Sequence, residues 1–96
     1  MAFKIIISKS ATQSLQDILD YTSLNFGKKK HDILLKKIED AIFTISEHPL
    51  LFPKIKETIH RVLIINEISM FYQIKSTSIR ILLFWNNRQN PNRLRL

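Results

Sequence analysis

Cysteine is absent from the 96 residues, and glycine occurs once, at Gly27. Without thiols there is no disulfide framework, no thiolate metal site and no cysteine nucleophile, and the chain suits a reducing cytosol. A single glycine leaves no Gly-rich loop for phosphate. No two of the three histidines stand at a metal-ligand spacing, so no metal and no cofactor is expected. No stretch approaches ~18 consecutive apolar residues, which argues against a membrane span. The opening Met-Ala-Phe-Lys-Ile-Ile-Ile-Ser has too short an apolar run for a secretory signal. The expectation is one cytoplasmic domain over residues 1–96, large enough for one modest core.

Acidic residues are also scarce. Eight Asp and Glu face fifteen Lys and Arg, a net charge of +7. The imbalance is local. Residues 1–47 carry seven bases and six acids. Residues 48–96 carry eight bases (Lys54, Lys56, Arg61, Lys75, Arg80, Arg88, Arg93, Arg95) against Glu57 and Glu67. A polyanion or an acidic partner should therefore be met by the second half.

Hydrophobic periodicity supplies the architecture. Phe3–Ile7 is a short β-branched run and reads as a strand. Ser8 or Ser10 can cap a helix. Ala11, Leu15, Ile18, Leu19, Thr22 and Phe26 then recur at three- and four-residue steps. Gly27 stands where a helix takes a left-handed terminator. A second apolar stripe follows at Leu34, Ile38, Ala41, Ile42 and Ile45, ended by His48-Pro49. Two amphipathic helices around Gly27 make a helical hairpin. Leu50, Leu51 and Phe52 read as an apolar plug, and Pro53 as irregular chain. Strands follow at about Ile59–Ile65, Ile68–Lys75 and Ser78–Asn86, with two-residue turns at Asn66-Glu67 and Ser76-Thr77. The order β-α-α-β-β-β predicts an α+β fold, a helical hairpin on one face of a mainly antiparallel four-stranded sheet.

Strict alternation assigns the faces. Leu63, Ile65, Ile68, Met70, Tyr72, Ile74, Ile79, Ile81, Leu83 and Trp85 fall on the side expected to carry the helices. His60, Val62, Ile64, Ser69, Phe71, Gln73, Arg80, Leu82, Phe84 and Asn86 fall on the other. That second, half-apolar face reads as a docking surface.

The element order, the opening Ile-Ile-Ser-Lys-Ser-Ala, and the segments His48-Pro49-Leu50-Leu51-Phe52-Pro53 and Ile59-His60-Arg61-Val62 form a pattern. Met70-Phe71-Tyr72-Gln73-Ile74, Ile79-Arg80-Ile81-Leu82 and Arg88-Gln89-Asn90-Pro91 complete it. Together they resemble the RelE/ParE superfamily of toxins from bacterial type II toxin–antitoxin pairs, closest to the ParE-like branch. The resemblance implies a toxin neutralised by a cognate antitoxin. ParE-like members block DNA gyrase; RelE-like members cut messenger RNA on the ribosome.

Metal-free RNA cleavage needs cations on the phosphate and groups that exchange protons. Arg61 and Arg88 match basic positions of the nuclease branch. Leu63 and Ser69 stand where that branch has bases, and Asn86-Asn87-Arg88 replaces its His-x-Arg. The segment Arg93-Leu94-Arg95-Leu96 offers no terminal tyrosine or histidine. The expectation is therefore inhibition by binding. Arg61, Arg80, Arg88, Arg93 and Arg95 would hold the target, and Val62, Ile64, Phe71, Leu82 and Phe84 would meet the antitoxin. The rival is a ribosome-dependent endoribonuclease using Arg61, Arg88 and His60. A third reading is a non-toxic partner-binding module.

Overall fold

Ser8 joins three elements of the fold. The computed structural model describes residues 2–88. In it a short strand β1 (Lys4–Ile7) passes through Ser8 into helix α1 (Lys9–Glu47). The Ser8 backbone is extended, and its Oγ accepts from the Ala11 N–H at 3.0 Å, as an N-cap should. The same hydroxyl donates to the Leu82 carbonyl at 3.0 Å. Of the two serines expected to cap, Ser8 does so.

The rest of the sheet is β2 (Lys54–Lys56), β3 (Ile59–Ile65), β4 (Ile68–Lys75) and β5 (Ser78–Asn86). Strand order is β1-β5-β4-β3-β2. β1 runs parallel to β5, and the other three pairings are antiparallel. The expected four-stranded sheet is thus a five-stranded mixed one. The added strand, Lys-Ile-Lys, is too short and too charged to show by pattern, and it follows Pro53. As a charged edge strand it also shields the sheet from further pairing.

The expected pair of helices is one kinked element. At about 1.5 Å per residue, 39 straight helical residues would span about 58 Å. The molecule's longest dimension is 39 Å. The bend falls at Gly27, with φ 88° and ψ 173°, a conformation that is essentially reserved for glycine. The second arm returns to the sheet, where the Phe3 N–H donates to the Ser46 carbonyl at 2.8 Å. Both apolar stripes bury as read: Ala11 and Leu19 from the first arm and Leu34, Ile38 and Ile45 from the second join one core. Phe26, expected on the inner stripe, is exposed at the bend. The Leu50–Phe52 plug is also corrected. Leu50 and Leu51 are exposed, and only Phe52 packs against the core.

Both hairpin turns are as read, with Ile65 opposite Ile68 and Lys75 opposite Ser78. Ser76, not Asn66, takes the left-handed conformation, at φ 53°. Strict alternation fails inside the strands. One bulge lies between Leu63 and Ile65, and another in β5 where Phe71 pairs with Leu83 but Tyr72 pairs with Ile81. Each bulge inserts one residue and turns every side chain beyond it to the opposite face. His60, Val62 and Phe84 therefore face the helix, and Leu63, Leu83 and Trp85 face away from it.

Helix serines satisfy the backbone that this irregularity leaves unpaired. β1 covers β5 only along Ser78–Ile81. Beyond it, Leu82 O accepts from Ser8 Oγ, and the Phe84 N–H donates to Ser14 Oγ at 3.0 Å. No buried side-chain nitrogen or oxygen among the described residues lacks a partner.

Candidate functional site

The face turned away from the helix is built of cross-strand rows. One row is Leu63–Ser69–Trp85, the next Arg61–Phe71–Leu83, and the third Ile59–Gln73–Arg80, which β1 extends with Ile6. Residues directly opposite one another share a face, so these rows form one apolar and cationic surface. Leu63 is 53% exposed. Phe71, central in the second row, is only 2% exposed and lies outside the helix-side core.

At one corner of this surface two polar side chains link Arg61 to Asn87, the residue before Arg88. Arg61 Nε donates to Ser69 Oγ at 2.8 Å. Ser69 Oγ donates to Asn87 Oδ1, also at 2.8 Å. Asn87 Nδ2 donates to Asn66 O at 3.1 Å, and the Asn87 N–H donates to Glu67 O at 2.6 Å. The next residue is Arg88, whose N–H donates to Asn86 Oδ1 at 2.9 Å. Its guanidinium pairs with Glu67 Oε1 at 3.2 Å. The β3–β4 turn and the end of β5 thus close around one hydrogen-bonded relay. Sequence reasoning singled out Arg61 and Arg88 but missed Ser69 and Asn87 as their connection. A signal was present: Ser69 is the one hydroxyl among Ile68, Met70 and Phe71, and it is wholly buried.

The other expected site residues are dispersed. His60 follows from alternation: neighbours on a strand point to opposite faces, so it leaves β3 on the side opposite Arg61. It is 3% exposed, its Nδ1 lies 2.8 Å from Phe52 O, and its ring stacks on Tyr72. The expected place beside Arg80 on the open face is thereby corrected. Arg80 is exposed, across from Gln73 and away from the corner. Arg93 and Arg95 lie outside the described residues. Val62 and Phe84 belong to the helix-side core, so the exposure expected of them is absent. Ile64 packs against that core, and Leu82 is half-buried at the β5 bulge.

A concavity of about 1020 Å³ lies between the bend of α1 and the end of β5. Tyr21, Phe26, Ile33, Trp85 and Arg88 are among the residues that line it. Among the described residues, no three His, Asp or Glu side chains gather to hold a metal, and no helix is long and apolar enough to cross a membrane.

The fold is that of known bacterial toxins. The chain is similar to a solved structure of the chromosomal ParDE toxin–antitoxin system from P. aeruginosa, with a TM-score of 0.75 at 15% identity, covering 88% of this chain and 96% of that one. It is similar to a YoeB/ParE toxin from Agrobacterium tumefaciens (TM-score 0.65, 13% identity, 86% and 96% covered). It also resembles a chain of the E. coli DinJ-YafQ toxin-antitoxin complex (TM-score 0.62, 7% identity, 90% and 93% covered). No curated protein matches by sequence. The family model described as the ParE toxin of the type II toxin–antitoxin system parDE matches residues 5–91. The chain belongs to the ParE toxin family.

Proposed function

We propose that this ParE-family toxin acts by docking on an essential target, DNA gyrase, and that a cognate antitoxin neutralises it in the cytoplasm. The observation that carries the docking reading is the make-up of the open face. Arg61 shares a face with Leu63, Leu83 and Trp85, and the exposed Arg88 follows at the end of β5, while His60 is turned into the opposite side against Tyr72. Cations around apolar side chains suit a protein surface with acidic groups. Proton exchange at the corner would need a titratable group near neutral pH, and the histidine proposed for that role faces the helix. Arg80 on the same face, with Arg93 and Arg95, adds to the attraction for an acidic target. The antitoxin is proposed to contact the sheet at the half-buried Leu82 and Ile64; Phe71, 2% exposed, lacks the exposure expected of it.

Expression of the chain without an antitoxin separates the readings. Docking on gyrase predicts induction of the DNA-damage response with transcripts intact, and loss of supercoiling by purified gyrase. Rapid arrest of translation with cut messenger RNA would instead establish the nuclease reading. Full growth together with tight antitoxin binding would establish the non-toxic module. In the docking case Arg88→Ala, altering an exposed side chain, abolishes supercoiling inhibition while the thermal unfolding midpoint stays unchanged.

A further inference from the structure

We propose that the end of β5, Phe84–Asn86, is an open strand edge on which an extended, acidic segment of a partner protein pairs in parallel, seated in the concavity beside the helix bend. Use of this edge does not depend on which target the toxin meets.

β4 follows β5 as far as Asn86, whereas β1 stops at Ile7, opposite Ile81. In an antiparallel ladder alternate residues turn both backbone groups toward the neighbour, and the residues between them turn theirs away. Two bonds fix which is which. The Asn87 N–H donates to Glu67 O, on the β4 side, and the Phe84 N–H donates to Ser14 Oγ, on the helix side. Trp85 therefore bonds toward β4, and Phe84 and Asn86 turn their groups outward. Past β1 the outward groups are met one at a time. Ile81 O accepts from the Ser8 N–H, Leu82 O accepts from Ser8 Oγ, and the Phe84 N–H has Ser14. There the series ends. Among the described residues, Phe84 O and the Asn86 N–H have no partner, and Asn86 Oδ1 alone is engaged, by the Arg88 N–H. An acceptor followed two residues later by a donor matches one residue of a parallel strand, whose N–H meets Phe84 O and whose carbonyl meets the Asn86 N–H. An antiparallel residue opposite Phe84 would need both of its groups, and the N–H is taken.

The concavity gives this edge a seat. Phe84, Trp85 and Asn86 line it from the sheet, and Ile18, Tyr21 and Phe26 from the helix. The Tyr21 and Phe26 rings meet edge to face, with centroids 6.2 Å apart, yet remain 56% and 61% exposed. They form a ready aromatic wall for apolar side chains of an added strand. Charge selects the occupant. The two acids of the lining are already engaged, Asp17 by Gln13 at 2.9 Å and Glu67 by Arg88 at 3.2 Å. Lys30 and Lys37 also line the concavity and are exposed, and among the described residues neither belongs to an ion pair. They stand two helical turns apart, about 10 Å along one face of α1. An acidic segment is attracted there, and a basic one, such as the chain's own Arg93-Leu94-Arg95-Leu96, is repelled. The opposite edge of the sheet differs: Lys54 and Lys56 guard β2 against added strands, and Phe84–Asn86 carries no such charge.

The test uses the full chain and the peptide acetyl-Glu-Val-Glu-Val-Glu-Val-Glu-amide, read by NMR and amide hydrogen exchange. The peptide shifts the Asn86 N–H signal and slows its exchange about tenfold, while the Trp85 N–H, bonded to β4, changes less. The donors along one edge of a strand belong to alternate residues. Two N-methylated peptides, one methylated at every valine and one at every glutamate, therefore each lack the donors of one edge. One of them loses binding and the other keeps it. Lys30→Glu combined with Lys37→Glu, both on exposed side chains, weakens the parent peptide about tenfold and favours a peptide with lysine in place of glutamate. Equal affinity of the two methylated peptides would overturn strand pairing in favour of a partner held by side chains alone, as a docked helix is. An Asn86 signal unmoved by millimolar peptide would also overturn the proposal. So would an Asn86 N–H already slow to exchange in the chain alone, since residues 89–96 or a second copy would then fill the edge. None of these readouts involves gyrase, so failure of supercoiling inhibition would reject the target and keep the strand edge.

Discussion

His60 lies flat on Tyr72, with ring centroids 4.9 Å apart and planes 14° from parallel. The two residues face each other across β3 and β4. Phe52 O holds the His60 ring at Nδ1, and the Tyr72 hydroxyl donates to Pro49 O. The stack therefore fastens the loop after α1 to the sheet. His60→Ala removes a buried ring and its bond, and the expected cost is about 2–3 kcal/mol of stability. Urea unfolding reads that loss. Gyrase inhibition per folded molecule should be unchanged. An inactive variant of undiminished stability would instead assign His60 to chemistry.

Tyr72 makes the fold sensitive to alkali. Burial pushes its phenol up to about 12, because the phenolate would be charged away from water. The native state therefore keeps a proton that the unfolded chain loses near pH 10. Stability from this group is fully present below pH 10 and falls as pH rises through about 12. The loss is on the order of 2–3 kcal/mol. Tyr72→Phe should be less stable near neutrality, since Pro49 O loses its donor, but its midpoint should be flatter between pH 10 and 12. Parallel profiles for the two proteins would reject the assignment.

Gly27 concentrates the cost of the helix bend in one residue. A side chain there would meet nothing within 4 Å, so no clash opposes substitution. Only the backbone does, because φ +88° with ψ 173° is strained for any residue with a Cβ. Gly27→Ala should destabilise the protein by about 1–3 kcal/mol and favour straightening of the helix. Thermal unfolding measures the loss. A variant as stable as the parent would mean that the bend is imposed by the core rather than permitted by the glycine.

The bend, both apolar stripes and both hairpin turns were legible because each rests on local chemistry: one glycine, helical spacing, two-residue connections. The faces of β3 and β5 were not. A β-bulge leaves no mark in a run such as Ile59–Ile65 or Ser78–Asn86, where nearly every residue could be buried. One inserted residue in each strand was enough to exchange Val62 with Leu63 and Phe84 with Leu83. The same shift hid the corner. Arg61 and Arg88 were visible as isolated cations, but their connection depends on where Ser69 and Asn87 come to rest in the register. His60 was misplaced for the same reason, since one bulge beyond Leu63 decides which of His60 and Arg61 faces the helix.

Leu63 and Phe84 give the most direct reading of that register. Both are large apolar strand residues, and strict alternation would bury the first and expose the second. The structure does the reverse: Leu63 is exposed beside Arg61 and Ser69, and Phe84 is buried against the helix. Leu63→Asp places a carboxylate in water near a guanidinium, so stability should change by less than about 1 kcal/mol. Docking on an acidic target should nevertheless fail, since the apolar contact becomes a like charge. Phe84→Asp places an unpaired carboxylate in the core, and the chain should not fold at neutral pH. Circular dichroism and supercoiling inhibition, measured on both variants, distinguish the two outcomes. A folded Phe84→Asp protein beside an unfolded Leu63→Asp protein would restore strict alternation and remove the docking face from the side on which Arg61 lies.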